Sequence, residues 1–191
     1  MIDTDKVLRH YYDPSSGVYR ILVEHSRHVA AKALETAKKV PELEPDLEFI
    51  EEAALLHDIG IIHTRSPRLG CHGSYPYVHH GYLGRDMLEA CGLHRHALVA
   101  ERHTGTGITL ADITERGLGL PSRDMVPLSI EEQIVCYADK FFSKNNGALD
   151  HEKSVGDVIT YLSQFGEKQV NTFKTWAERF GDMPCSVNSH C

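Results

Sequence analysis

Apolar positions recur at intervals of three and four residues along most of the chain, which is the spacing of amphipathic helices. Over residues 19–40 they fall at Ile21, Leu22, Val29, Ala33, Ala37 and Val40. The same spacing predicts helices over 48–59, 81–90, 93–103, 110–116, 129–143, 154–165 and 167–180. No segment alternates convincingly in the manner of a strand. The pattern therefore predicts an all-α fold.

The ends of two predicted helices carry recognisable capping residues. Gly60 follows the second helix where a C′ glycine would end it. Ser129 and Glu132 have the spacing of a capping box, in which each side chain bonds the other residue's amide. We predict one domain over 1–191, with a helical core at about 20–143 and a C-terminal helical pair at about 151–181.

Composition excludes several classes of protein. The net charge is -7 and no run of Lys or Arg exceeds two residues, so non-specific binding to nucleic acid is not expected. No apolar window is long enough for a membrane span, and the N-terminus has no signal-peptide pattern. Five irregularly spaced cysteines favour a reducing compartment. We expect a cytoplasmic protein without membrane contact, and a homo-oligomer remains open.

Histidine is unusually frequent, with 13 residues, and several lie at positions that the helical pattern buries. Six ligand-type residues occur on inward faces or at helix ends in the order H…HD…H…H…D. They are His25, His57, Asp58, His80, His103 and Asp139. Imidazoles and carboxylates together suit a divalent transition metal such as Fe, Mn, Co or Zn. The sequence therefore predicts a site for one or two such ions.

These residues lie in motifs that resemble the HD-domain superfamily. The stretch HSRHVAAKAL resembles the first family helix, LLHDIG the defining His-Asp pair, and HHGYLGRDML, RHTGTG and YADKF the later ligand segments. The spacing favours His25 over His28 and His80 over His79. The resemblance implies an HD helical bundle in which His25, His57, Asp58 and Asp139 bind one metal. Asp58 would bridge to a second metal held by His80 and His103.

The resemblance also implies a function. Small HD proteins of this outline are metal-dependent phosphohydrolases, which cleave a phosphoester or phosphoanhydride with a metal-bound hydroxide. Asp58 and His57 would be the central catalytic residues, and the substrate a small anionic, nucleotide-like molecule. Two alternatives stay open. One is a diiron oxygenase, which uses the same six ligands, and the other is a non-catalytic signalling module that binds metal or nucleotide.

Candidate substrate contacts lie outside the six ligands. Arg65, Arg68 and His63 lie in or beside a long connecting segment, 64–79, which we expect to form a wall of the substrate pocket. Guanidinium groups grip phosphate oxygens well. Lys140 is a further candidate because it adjoins Asp139, although on a continuous helix it would point about 100° away.

Overall fold

The computed structural model describes residues 2–144 and 151–183. Over these residues the chain forms nine α-helices joined by short 3₁₀ turns. They are α1 (Thr4–Tyr11), α2 (Gly17–Lys38), α3 (Leu47–Leu56), α4 (His80–Ala90), α5 (His94–Arg102), α6 (Leu110–Arg116), α7 (Ile130–Asp139), α8 (Val155–Leu162) and α9 (Glu167–Arg179). The predicted all-α class is confirmed, with helix ends displaced by a few residues.

Helix starts are set by short polar side chains that accept a backbone N–H three residues later, because those amides have no partner within the helix. Asp3, Ser16, Asp46, Thr109, Ser129 and Ser154 each cap a helix in this way.

The capping box predicted at Ser129 forms only in part. Ser129 Oγ accepts the Glu132 amide at 3.2 Å. The Glu132 carboxylate does not return to Ser129; it accepts the Leu128 amide at 2.8 Å and pairs with Arg102 at 2.9 Å. A charged partner within reach explains the difference, since a bond to guanidinium is stronger than one to an amide.

Two apolar clusters hold the helices together. The larger one joins α2, α3 and α7 to the C-terminal helices α8 and α9. In it the Tyr137 ring stacks on Phe173 with centroids 5.0 Å apart. The smaller cluster packs α1 and the start of α2 against α4, α5 and the turn after α3. The predicted C-terminal pair therefore shares the main core, where it lies against α7.

The turn after α3 differs from the prediction. The helix ends at Leu56, and a 3₁₀ helix, Ile59–His63, follows. Gly60 lies inside that turn, without the positive φ expected of a C′ glycine. A Cβ at Gly60 would overlap the His80 carbonyl oxygen and the Gly84 amide. Glycine is needed here because the turn presses directly on the backbone of α4.

The segment 64–79 is more ordered than a plain loop. Two short antiparallel strands, β1 (Arg65–Ser66) and β2 (Cys71–His72), pair Arg65 with His72 and Ser66 with Cys71. The prediction of no strand is wrong for these four residues, which are too few to give an alternating pattern. Within the described ranges, no helix has the length and apolar character needed to cross a membrane.

Candidate metal centre

Three histidines lie where helices begin or end, and the backbone orients their rings. Each places its Nδ1 against the carbonyl oxygen three residues earlier. The pairs are His57 with Ala54 at 2.6 Å, His80 with Tyr77 at 2.7 Å, and His103 with Ala100 at 2.8 Å. A carbonyl can only accept, so Nδ1 carries a proton in each ring, and Nε2 keeps its lone pair wherever the ring is neutral. All three Nε2 atoms therefore face the interior as potential metal ligands.

The first group of ligand atoms comes from His25, His57, Asp58 and Asp139, which α2, the turn after α3 and the end of α7 bring together. These four residues are buried, and their ligand atoms lie within 4.8 Å of one another. His25 Nε2 is 3.1 Å from Asp139 Oδ1 and 3.3 Å from Asp58 Oδ2. His57 Nε2 is 3.2 Å from Asp58 Oδ2. This geometry can close around one cation.

The second group comprises Asp58, His80 and His103, also within 4.8 Å. Both imidazoles place Nε2 3.4 Å from Asp58 Oδ1, and the two Nε2 atoms are 3.0 Å apart. With both protons on Nδ1, two lone pairs face each other at that distance. A cation between them would relieve the repulsion. Asp58 thus offers one oxygen to each group.

The donor atoms fit a divalent transition metal. Asp58 Oδ1 and His57 Nε2 have no hydrogen-bond partner among the described residues, although both residues are fully buried. Buried polar atoms ordinarily have partners, so these two atoms are candidates for bonds to a bound ion. Four imidazoles with two carboxylates are the donors that Fe, Mn, Co and Zn accept. The buried cluster can therefore hold a metal.

The electrostatics of the cluster divide its histidines. Burial, with a contribution from neighbouring His103, lowers the pKa of His80 to about 3. Burial also lowers the pKa of His103. Burial lowers the pKa of His57 too, but the carboxylates of Asp58 and Asp139 outweigh it and raise that pKa to about 9. His80 and His103 therefore remain neutral donors at physiological pH.

Lys144 is a member of the site that sequence reasoning missed. Its Nζ lies 2.5 Å from Asp58 Oδ2 and 3.2 Å from His25 Nε2. Burial raises the pKa of Asp58, but Lys144 and His57 more than offset this and hold it well below its usual value. One sequence signal was available: Lys144 follows Asp139 closely and comes just after the apolar run that contains it, so a cation near the ligands could have been expected.

Lys140 lies nearer the site than helical projection predicted. Lys140 keeps helical backbone angles (φ -66°, ψ -23°), so its long side chain carries the ammonium back toward Asp139. Lys140 Nζ donates to Asp139 Oδ2 at 2.7 Å and to the His103 carbonyl at 3.0 Å. It also lines the cavity beside the ligands, as a substrate contact would.

A cavity of about 500 Å³ opens beside the cluster. Its walls include the ligands His80, His103 and Asp139 and four basic side chains. The basic residues are Arg116, Lys140, Lys144 and Lys153. A site of this size and charge can admit a small anion that reaches the ligand cluster from outside.

The other predicted substrate contacts lie elsewhere. His63, Arg65 and Arg68 are exposed, and none of them lines the cavity. The segment 64–79 does form part of a wall, but through Ser66, Leu69, Tyr77 and Val78. In β1 and the turn after it, Ser66 and Leu69 line the cavity, whereas Arg65 and Arg68 are exposed to solvent.

Two buried groups of potential ligands that share one aspartate define this all-α domain as a helical bundle with a candidate metal centre. Within that class, a family model described as HD domain matches residues 22–143. The match covers more than half of the chain and contains all six ligand residues. The chain belongs to the HD domain family.

Relatives are found in archaea. The chain is 39% identical over 121 residues to an uncharacterized protein of Methanocaldococcus jannaschii, covering 62% of this chain and 64% of that protein. It is 33% identical over 124 residues to a tRNA (cytidine(56)-2′-O)-methyltransferase of Picrophilus torridus, covering 64% and 32%. A protein of the same name from Thermoplasma volcanium is 32% identical over 128 residues, covering 66% and 33%.

The chain thus spans less than two thirds of the first of these relatives and about a third of each methyltransferase. No solved structure matches the chain.

Proposed function

We propose that the protein is a metal-dependent phosphohydrolase that cleaves a phosphoester or phosphoanhydride of a small, nucleotide-like substrate. The observation that carries the proposal is the position of Asp58. Its two oxygens serve two ligand groups, and three of the other ligands border a cavity lined by basic side chains. That combination suits hydrolysis of an anionic ester.

A divalent ion held by His25, His57, Asp58 and Asp139, or by Asp58, His80 and His103, would lower the pKa of a water molecule and neutralise charge on a phosphoryl group. Asp58 and His57 are fully buried and do not line the cavity, so we assign them to metal binding and not to substrate contact. Their predicted catalytic role is then to hold and polarise the metal.

Residues at the cavity surface would handle the substrate. Lys140 is held beside Asp139 and His103, where its ammonium can contact a phosphoryl oxygen next to the ligand cluster. Lys153 and Arg116 lie on the same cavity wall and can bind further phosphate oxygens. The whole chain carries a net charge of -7, so these basic side chains make the cavity attractive to anions in contrast to the rest of the chain.

The alternatives receive less support. A diiron oxygenase would use the same ligands, but four basic side chains around the cavity favour a phosphate-bearing substrate. A signalling module that only binds metal or nucleotide would need no cavity that reaches the ligands. The methyltransferase names of two relatives give no assignment here, because the chain spans only a third of those proteins.

Phosphate release tests the proposal directly. Protein stripped with a chelator would be reloaded separately with Mn²⁺, Fe²⁺, Co²⁺ or Zn²⁺ and assayed against nucleoside mono-, di- and triphosphates. We expect release that requires metal and disappears in Asp58→Asn. Lys174→Asn, a change at an exposed position on α9, serves as the matched control and should leave release intact.

Two other results would contradict the hydrolase. Stoichiometric metal binding without phosphate release from any nucleotide, together with dioxygen uptake by the reduced iron form, would favour the oxygenase. Tight nucleotide binding without turnover under every metal would favour the signalling module.

A further inference from the structure

The cavity extends beyond the ligand cluster onto the C-terminal helices. Its outer wall includes Tyr161 and Leu162 of α8, Phe165 of the following 3₁₀ turn, and Gln169 of α9. These residues lie outside 22–143, the part of the chain that the HD model matches. This wall therefore lies outside the part of the chain that the family model covers.

Two aromatic rings on this wall are unusually open to solvent. Tyr161 is 47% exposed and Phe165 is 44% exposed. Their centroids are 5.4 Å apart with the planes at 67°, so they form one continuous aromatic surface. Clustered exposed apolar side chains beside a polar site commonly mark a binding surface, whereas scattered ones need no explanation.

A basic side chain lies beside this aromatic pair on the cavity side. Lys153 Nζ lies 5.1 Å from the centroid of the Tyr161 ring, and Lys153 also lines the cavity. A ligand whose ring lies on Tyr161 can therefore place an anionic group within reach of Lys153. The cavity volume of about 500 Å³ is within the ~300–1,000 Å³ typical of small-molecule sites, which exceeds the need of a phosphate group alone.

We propose that Tyr161 and Phe165 form a stacking surface that selects phosphate compounds carrying a planar aromatic ring system, such as a nucleobase. The phosphate end faces Lys140 and the ligand cluster, and the ring end faces the C-terminal helices. This inference rests on the proposed function for its phosphate end. It adds that α8 and the turn after it determine which organic group is accepted.

Binding of two matched probes tests the inference without turnover. One probe is the phosphonate analogue of adenosine 5′-monophosphate, with CH₂ in place of the bridging oxygen, and the other is the same analogue of ribose 5-phosphate. They differ only in the base. Isothermal titration would measure both with the full-length, metal-loaded protein.

Tyr161→Ala and Phe165→Ala should each weaken binding of the adenosine probe about tenfold, the scale of one base–aromatic stack. Binding of the ribose probe should change less than about twofold, since its contacts are to phosphate. Tyr161→Phe keeps the ring and should restore the affinity. Tyr75→Ala removes a similarly exposed ring that does not line the cavity, and should change neither affinity.

Two outcomes would overturn the inference. One is equal weakening of both probes, and the other is unchanged binding of the adenosine probe. In the second case, a change of oligomeric state in the variants would assign the rings to a contact between copies. Failure of the proposed function gives a different result. If the protein binds the adenosine probe more tightly than the ribose probe but releases no phosphate from nucleotides, the stacking surface stands and the hydrolase proposal fails.

Discussion

The two ends of the cavity are built differently. At the inner end the ligand residues are at most 8% exposed, and the backbone fixes three of the imidazole rings. At the outer end Tyr161 and Phe165 are nearly half exposed and Lys153 is partly exposed. The inner end lies in the part of the chain matched by the HD model, and the outer end follows it. Under the proposed function, the reaction would depend on the part of the chain that the HD model matches, and the choice of substrate on side chains outside it.

Asp58→Asn should have the largest effect of these substitutions on metal binding at the inner end of the cavity. The substitution keeps the shape of the side chain and removes the charge that both ligand groups share. Metal affinity should fall by more than about a hundredfold, since loss of an outer partner alone costs ~10–100-fold. Titration with Mn²⁺ or Co²⁺ measures the affinity, and circular dichroism checks the fold. Asp86→Asn, at an exposed position on α4, is the control; normal metal binding by Asp58→Asn would disprove the shared role.

Gly60→Ala tests whether the inner end depends on direct backbone contact. The added methyl would meet the His80 carbonyl and the Gly84 backbone, which cannot move aside as a flexible side chain can. We expect a loss of about 3 kcal/mol in the free energy of unfolding, at the upper end for overpacking. Urea unfolding measures it. Gly17→Ala, at a helix start with no atom within 4 Å of the new methyl, should be nearly neutral. Equal stability of the two variants would refute the contact.

Lys144→Met probes the cation that lies inside the cluster. The Lys144 ammonium and a metal ion would compete for the same Asp58 oxygen, so the variant should bind Co²⁺ about tenfold more tightly. With chelator present, the variant should lose ~1–3 kcal/mol of stability, because Asp58 is left without its cation. Lys174→Met, exposed on α9, should change neither quantity. Weaker metal binding in Lys144→Met would mean that the lysine assists the metal and does not compete with it.

Arg65→Ala and Arg68→Ala should have the smallest effects. The sequence alone predicts that either would lower kcat/KM, but both side chains are exposed and away from the cavity. We now expect less than a threefold change, against roughly ten- to a hundredfold for Lys140→Met, the scale of a charged hydrogen bond of ~1.5–3 kcal/mol. Steady-state kinetics compares them. A larger loss of kcat/KM in Arg65→Ala than in Lys140→Met would indicate that the substrate binds at the outer face of 64–79.

Sequence patterns predicted eight of the nine described helices, α1 excepted, and put the six candidate ligand residues on inward faces or at helix ends. His57 and Asp58 follow an apolar helix, and Asp139 ends another. Their convergence within 4.8 Å is found in the structure, whereas metal binding by these residues stays a prediction. The cytoplasmic location, the possibility of a homo-oligomer and the single-domain boundaries of 1–191 also stay predictions, and residues 184–191 lie outside the described part of the chain.

The features that the sequence did not predict concern helix ends, the reach of long side chains and contacts between distant residues. Helical projection turned Lys140 away from the ligands because it ignores the length of the side chain, and extending α7 to residue 143 concealed Lys144, which lies beyond the end of the helix. Gly60 matched a capping glycine equally well, because a helix end and a close backbone contact both require a missing side chain. The pairing of Glu132 with Arg102 joins distant residues, and local spacing carries no information about such contacts.

The orientation of His57, His80 and His103 by carbonyl oxygens has a genetic consequence. Replacement of Ala54, Tyr77 or Ala100 alters a side chain but leaves the carbonyl that the imidazole bonds. No point mutation at those positions can delete the acceptor; it can only shift the backbone that carries it. The side chains around these rings can therefore be substituted during evolution while the protonation of Nδ1 stays the same.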